Sequence, residues 1–259
     1  MIWELWLGEY VVPFFEVRLK IRLPLRAKFR WKLAHYSEIR FWEKYFQGGG
    51  LHWKNKYALK FDPCLPLQEE VYSVLPSNKV EIRILDVGAG PMTYLGKVHN
   101  DLRLQIEAVD PLADSYNRIL EKNKIVPIVK TIRCSAEELS NHFAENSFDL
   151  VFARNCIDHS YDPHVAINEM IKVLHSGCYL VMAHIPNEGK NENYYGLHQW
   201  NFDAIDGDFI ISSRNEHVNV TKKLKGVCVI TCKTIVIDNV EWLYTYFLKQ
   251  PSNDDTVVV

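Results

Sequence analysis

An apolar run from Ile84 to Val87 breaks directly into two glycines, Gly88 and Gly90, with one acid, Asp86, near its end. Aliphatic residues in such a run read as a strand buried on both faces. Glycines at its tip allow a sharp turn and a close approach of backbone to ligand that a β-carbon would obstruct. The stretch ILDVGAGPMTYLG, residues 84–96, thus asks for a sheet whose strand ends open on a crevice, and for a reason to place a carboxylate there.

The rest of the chain is organised around that stretch. Strands are predicted at 82–87, 104–109, 128–133, 148–153 and 178–184, and helices between them at 92–99, 113–122, 136–144 and 163–174. Strands separated by helices of this length form βαβ units and a parallel sheet. A helix entering through Pro66 is predicted over 66–75, with acids in its first turn. After residue 205 the pattern changes to consecutive strands at 208–213, 227–237 and 241–248, which would complete the sheet in antiparallel fashion. Before it, HYSEIRFWEKYF (35–46) has a helical period, with Ile39, Trp42, Tyr45 and Phe46 on one face, and Gly48-Gly49-Gly50 ends it. The alternating run Val17 to Leu23 has the period of a strand. Two parts are expected: a basic, aromatic extension or lid over 1–60 and a ligand-binding domain over 61–259.

Charge is divided along the same line. Residues 1–60 hold twelve Lys and Arg against five acids, while the whole chain is close to neutral at −2. The extension could lie on an anionic membrane surface, cover the crevice, or serve as a dimer arm. No nucleic-acid-reading motif accompanies it, so nucleic acid is not an expected partner. No apolar run approaches the roughly 20 residues of a membrane span. The six cysteines are scattered without a CxxC pair, and no Cys/His spacing composes a metal site, so free thiols, a reducing cytoplasm and no metal are expected.

Two ligands compete for the glycine turn. A dinucleotide loop, G-x-G-x-x-G, seats a pyrophosphate on a helix N-terminus. Here Pro91, Met92 and Thr93 follow Gly90 and the third glycine is missing. Asp86 would also repel a pyrophosphate, whereas a carboxylate suits a ligand carrying an ammonium and a sulfonium, as S-adenosylmethionine does. A second acid, Asp110, closes the next strand twenty residues beyond Gly90, where it can accept both ribose hydroxyls of either ligand.

Taken in order, ILDVGAG, EAVDP, CSAEEL, FDLVFARNCIDHSYDP and MIKVLHSGCYLVM resemble the class I S-adenosylmethionine-dependent methyltransferases of the small-molecule type, over about residues 66–186. The resemblance implies a doubly wound, mostly parallel seven-stranded sheet, Rossmann-like, with an N-terminal helical extension. It implies that Asp86 and the Gly88-Ala89-Gly90 loop line the methionine part of the cofactor. It implies that Asp110 holds the ribose, that Pro111, Ser135, Ala136 and Glu137 surround the adenine, and that Arg154 and Asn155 floor the site near the methyl group. His175-Ser176 stand where the family commonly has Lys-Pro, in a turn away from the cofactor.

Asp158 and His159 follow the fourth strand, on the edge where open α/β sheets bind ligands. His159 is the candidate general base for a hydroxyl acceptor, with Asp158 or Asp162 to orient it. His198, with Tyr194, Tyr195 and Trp200, follows the fifth strand and is the candidate acceptor wall. The acceptor expected is a small molecule or glycan precursor, methylated at oxygen. Two alternatives stand beside it: a nicotinamide-dependent oxidoreductase on the same fold, and a non-catalytic scaffold that binds the cofactor alone.

Overall fold

The computed structural model describes residues 27–51 and 53–251. The strand expected over 17–23, and with it most of the basic segment expected to meet a membrane, lie outside the described residues. Among the described residues no helix is long and apolar enough to cross a membrane.

Five strands run parallel: β1 (Glu81–Val87), β2 (Arg103–Asp110), β3 (Thr131–Arg133), β4 (Phe148–Arg154) and β5 (Leu174–His184). Three further strands, β6 (Asn201–Ile205), β7 (Asp208–Ser212) and β8 (His217–Asn219), form a small antiparallel sheet of their own. The last two, β9 (Cys228–Ile237) and β10 (Val240–Lys249), make a hairpin whose second arm lies antiparallel on β5. The main sheet thus has seven strands in the order β3-β2-β1-β4-β5-β10-β9.

The central strands carry large apolar residues on both faces because both faces are covered. Leu85, Val87, Val151, Ala153 and Leu180 meet α5 (Pro163–Val173) and Phe202, Phe209 and Phe247 on one side. Ile82, Ile84, Leu150, Phe152 and Val181 meet Leu67, Val71 and Leu95 on the other. Helix α5 begins where Asp162 accepts from the amides of His164 and Val165 and Pro163 opens the first turn, a standard N-cap.

The helix expected at 113–122 is α4 (Ala113–Lys122), and the aromatic helix before the triple glycine is α1 (Ala27–Gln47). Its Tyr45 and Phe46 pack on Met92, Tyr116, Ile119 and Leu120, so α1 is docked on the domain through the face its periodicity marked. Gly49 and Gly50 take φ of +59° and +91°, and the Gly48 and Gly50 amides bond back to the carbonyls of Lys44 and Tyr45, closing the helix end. A short helix α2 (Lys54–Leu59) follows.

Four expectations are corrected. No helix forms over 92–99. The segment runs alongside residues 65–67 instead, with Leu67 N donating to Val98 O at 2.8 Å and Lys97 N to Leu65 O at 2.7 Å. This pairing also shortens the helix expected over 66–75 to α3 (Glu69–Tyr72). The helix expected over 136–144 is a kinked 3-10 segment, Ala136–Asn141, because tertiary bonds from the Glu137 and Glu169 carboxylates claim the backbone of this region and of the loop against it. The strand expected at 208–213 lies in the separate sheet, where Phe209 and Ile211 face Phe202 and the main core.

Gly96 shows how closely the 92–99 segment is laid down: a Cβ there would stand 2.0 Å from the carbonyl oxygen of Pro66. Gly96→Ala is expected to cost ~2–3 kcal/mol of folding stability, read as a lowered midpoint in urea denaturation.

Candidate active site

Parallel register brings the tips of β1, β2 and β4 to one edge, with Asp86 beside Ala108 and Phe152 and Asp110 beside Arg133. This edge is where the strand order reverses, the place at which open α/β sheets bind ligands. Gly88 and Gly90 both adopt left-handed φ, +67° and +64°. The turn between them is tied by four hydrogen bonds to three partners. Gly88 N and Ala89 N donate to Val109 O at 2.8 and 3.1 Å, Gly90 N donates to Asp110 Oδ2 at 3.1 Å, and Thr131 Oγ1 donates to Gly90 O at 2.8 Å. Leu112 N holds the other Asp110 oxygen at 2.8 Å.

A cavity of about 760 Å³ opens beyond the end of β2. Pro111, Leu112, Cys134, Ser135 and Glu138 line its domain side, and Trp31, His35 and Ile39 of α1 line the other. Trp42 of α1 lies over the glycine turn, where a Cβ on Gly90 would come within 3.3 Å of its ring, and its indole N–H donates to Glu38 at 2.8 Å. The extension is therefore one wall of the crevice.

Both strand-tip acids are buried and are pushed up from ordinary carboxylate values. Burial raises Asp86 to about 6, against the opposing Thr93 hydroxyl bond at 2.5 Å and the charges of Lys60, Lys97 and Arg154. Burial raises Asp110 to about 7, assisted by the charges of Glu38 and Asp86 and opposed by its two amide donors. Burial lowers Lys60 to about 8, and its ammonium donates to Met92 O at 3.1 Å. The Lys97 ammonium is buried without a hydrogen-bond partner. Acids that regain full charge when a cationic nucleoside arrives, and an orphaned ammonium available to its carboxylate, fit S-adenosylmethionine. A pyrophosphate would find the acids repulsive and no helix N-terminus behind the loop, since 92–99 is extended.

A second constellation follows β4. The 3-10 turn Ile157–His159 carries Asp158 and His159, and the loop before β6 brings His198 to them. His198 Nδ1 stands 3.0 Å from Asp158 Oδ2, His159 Nε2 stands 3.1 Å from His198 Nδ1, and His159 Nε2 stands 3.4 Å from Asp158 Oδ2. Glu188, from α6 (Glu188–Asn191), reaches within 3.9 Å of His198. Burial works against both charges, but the two histidines hold Asp158 low, and Asp158 with Glu188 lifts His198 to about 9. Glu188 itself is driven up by burial and by Asp158. The turn is anchored by His184, kept neutral by burial, whose Nε2 accepts from Ile157 N at 3.1 Å. Cys156 joins the two constellations: it packs on Gly88, donates to Val87 O at 3.1 Å, and is raised by burial and by the charges of Asp158, Asp86 and Asp110.

The residues named from sequence are distributed as follows. Asp86, Gly88, Ala89, Gly90 and Asp110 form the turn, and Pro111 and Ser135 line the cavity. Ala136 packs into the core, the Glu137 carboxylate accepts from Tyr161 N at 2.9 Å, and Cys134 and Glu138 line the cavity beside Ser135. Arg154 is held between the rings of Tyr94 and Trp242, at 3.8 and 3.9 Å from their centroids. Asn155, at φ +50°, turns a buried side-chain oxygen that has no hydrogen-bond partner. Asp162 caps α5 and does not orient His159. Of the expected acceptor wall, His198 joins the cluster. Tyr194 accepts from Asn201 through its hydroxyl, Trp200 donates to Ser160 O, and Tyr195 is 70% exposed. Lys60, Lys97, Thr93, His184 and Glu188 were not found from sequence, because each stands alone in its segment and only folding assembles them.

The fold around this crevice is shared with known methyltransferases. Residues 85–182 match the family model described as a methyltransferase domain. No curated protein matches the chain. Among solved structures, the Haemonchus contortus phosphoethanolamine N-methyltransferase 2, in complex with phosphomonomethylethanolamine and S-adenosylhomocysteine, is similar with a TM-score of 0.52 at 16% identity, over 87% of this chain and 60% of that one. The protein solved with the Haloferax volcanii Trm112 methyltransferase activator has a TM-score of 0.53 at 13% identity, over 84% of this chain and 98% of its own. The CurJ carbon methyltransferase has a TM-score of 0.50 at 17% identity, over 69% of this chain and 51% of its own. Residues 85–182, from β1 to β5, thus match a methyltransferase domain, and the fold is that of S-adenosylmethionine-dependent methyltransferases.

The raised value of Asp110 has a measurable consequence. A ribose hydroxyl donates more strongly to a carboxylate than to its protonated form, so ligand binding at Asp110 would be coupled to loss of a proton that burial holds to about pH 7. Affinity for S-adenosylhomocysteine is expected to rise about tenfold between pH 6 and pH 8 in titration calorimetry. Asp110→Asn is expected to bind weakly and without that slope.

Proposed function

We propose that the chain transfers the cofactor's methyl group to an oxygen of a small-molecule or glycan-precursor acceptor, and that the acceptor's deprotonation depends on His159 and Asp158. The observation that carries this reading is the Asp158–His159–His198 cluster at the tip of β4, with its carboxylate buried and both imidazoles half-buried, joined to the glycine turn through Cys156.

The cofactor supplies a methyl group on a cationic sulfur, whose charge is lost as the methyl leaves. A crevice poor in water favours such a step. Asp86 and Asp110 fix the ligand's orientation, and the aromatic face of α1 keeps water from the turn. Alignment of acceptor and methyl supplies most of the acceleration. An aliphatic hydroxyl must still shed its proton, and this is the task left to the cluster. His159 and His198 are the members open to an incoming molecule, their side chains being 20% and 24% exposed while that of Asp158 is 2% exposed. His198 is the acceptor-site residue beside it, and its loop is held to the turn by Gln199 N on Asp158 O and Trp200 Nε1 on Ser160 O.

The test is formation of S-adenosylhomocysteine over a panel of small hydroxyl compounds and glycan precursors, with product mass and fragmentation locating the methyl. His159→Ala is expected to lose at least ~100-fold in turnover while binding S-adenosylhomocysteine within about threefold of the parent chain. Full turnover in that variant removes His159 from the reaction.

A further inference from the structure

The cluster at the tip of β4 has a geometry that hydrogen bonds alone do not use up. An imidazole nitrogen offers one proton or one lone pair, in the plane of the ring. His198 Nδ1 nevertheless faces two partners at once, Asp158 Oδ2 at 3.0 Å and His159 Nε2 at 3.1 Å, and those two are 3.4 Å from each other. One proton serves one of these contacts well. Three electron-rich atoms at mutual distances of 3.0–3.4 Å are, however, spaced as neighbouring ligands around one metal ion. An ion ~2.1 Å from each, the usual distance for imidazole and carboxylate ligands, would sit roughly 1 Å out of their plane. The two rings meet at 78°, so each can turn its lone pair to a common point without stacking.

A second, independent observation concerns uncompensated acid. Asp158 Oδ1 and Glu188 Oε2 are both buried with no hydrogen-bond partner. Asp158 is 1% exposed and Glu188 8% exposed, and the nearer Glu188 oxygen lies 3.9 Å from His198 Nδ1. Two buried carboxyl groups around one imidazole thus keep unused lone pairs, which is costly unless a donor or a cation answers them.

We infer that Asp158, His159 and His198 are the protein ligands of a divalent transition-metal ion, with Glu188 beside them as a fourth ligand or as the partner of a bound water. Two imidazoles and a carboxylate suit zinc or iron(II), whereas magnesium and calcium prefer oxygen-only sets. Three ligands from one side leave positions open, and the acceptor's oxygen is the group to fill one. His184 on the amide of Ile157, and Trp200 on the carbonyl of Ser160, hold the two ligand-bearing loops in place before any ion arrives. This inference rests on the assignment of the cluster to the acceptor site and states how the hydroxyl's proton is released. The O–H bond breaks with its electron pair retained by oxygen under the ion's field, and the proton passes to solvent. The oxygen then forms the bond to the methyl carbon as the sulfur–carbon bond breaks toward sulfur. His159 acts in this scheme as a ligand.

The experiment uses the full chain without a histidine tag, stripped by chelator and dialysed against zinc chloride. Metal content and titration calorimetry are expected to give one zinc per chain, and cobalt(II) is expected to give visible bands of low coordination number. His198→Ala and the double variant His159→Ala/His198→Ala are expected to weaken zinc binding at least ~100-fold. His159→Gln, with circular dichroism and S-adenosylhomocysteine binding as fold controls, is expected to weaken it as well. Magnesium is expected not to compete. Absence of stoichiometric zinc, or equal binding by parent and double variant, overturns the inference. So does undiminished turnover of the stripped chain on an acceptor found in the panel, an outcome that leaves the methyl-transfer reading standing. Zinc binding in a chain that methylates nothing supports the metal site and counts against that reading.

Discussion

Everything at the ligand-binding edge depends on the parallel register of β1, β2 and β4. A shift of one residue in either pairing would move every side chain of that strand to the opposite face of the sheet. Asp86 would then face the packed side occupied by Leu85 and Val87, and Asp110 would no longer receive the amide of Gly90. The register is held by large apolar residues on both faces, so burial of the core and placement of the acids are one event. That is why a functional carboxylate can afford to sit at the end of a hydrophobic strand.

The crevice is assembled from charges that the fold has partly desolvated. Asp86 stands among Lys60, Lys97 and Arg154, and Asp110 among amide donors, with burial raising both acids. Such groups are preorganised for a ligand that brings charge and donors with it, because water has already been removed. The cluster of Asp158, His159, His198 and Glu188, beyond the tip of β4, follows the same logic. Cys156 lies between the two, packed on Gly88 and adjacent to the turn that carries Asp158 and His159. A change at Cys156 would therefore be felt at both ends.

Two features set this chain apart from the simplest form of its fold. The glycine turn opens into an extended segment paired with residues 65–67, so it is stiffened by Asp110, Thr131 and Val109 and not by a following helix. The N-terminal helix α1, in turn, is part of the site, with Trp42 over Gly90 and Trp31, His35 and Ile39 on the cavity wall. A mobile ligand entering here would have to pass, or displace, an aromatic face.

What the sequence by itself determined is the part written in local periodicity and in motif order. The parallel strands, α4, α5, the aromatic face of α1 and the acids at Asp86 and Asp110 were all legible, since each follows from neighbours within a few residues along the chain. Only the tertiary structure decided the rest. Residues 92–99 have the composition of a helix but lose it to pairing with 65–67, and 208–212 leave the main sheet because Phe209 and Ile211 have a core to cover elsewhere. Asp158, His159, His198 and Glu188 come from two separate stretches, and Lys60 and Lys97 from two more. No spacing rule links them, because side chains distant along the chain are brought within bonding distance by packing of the strands and loops beneath them, and packing is a property of the whole fold.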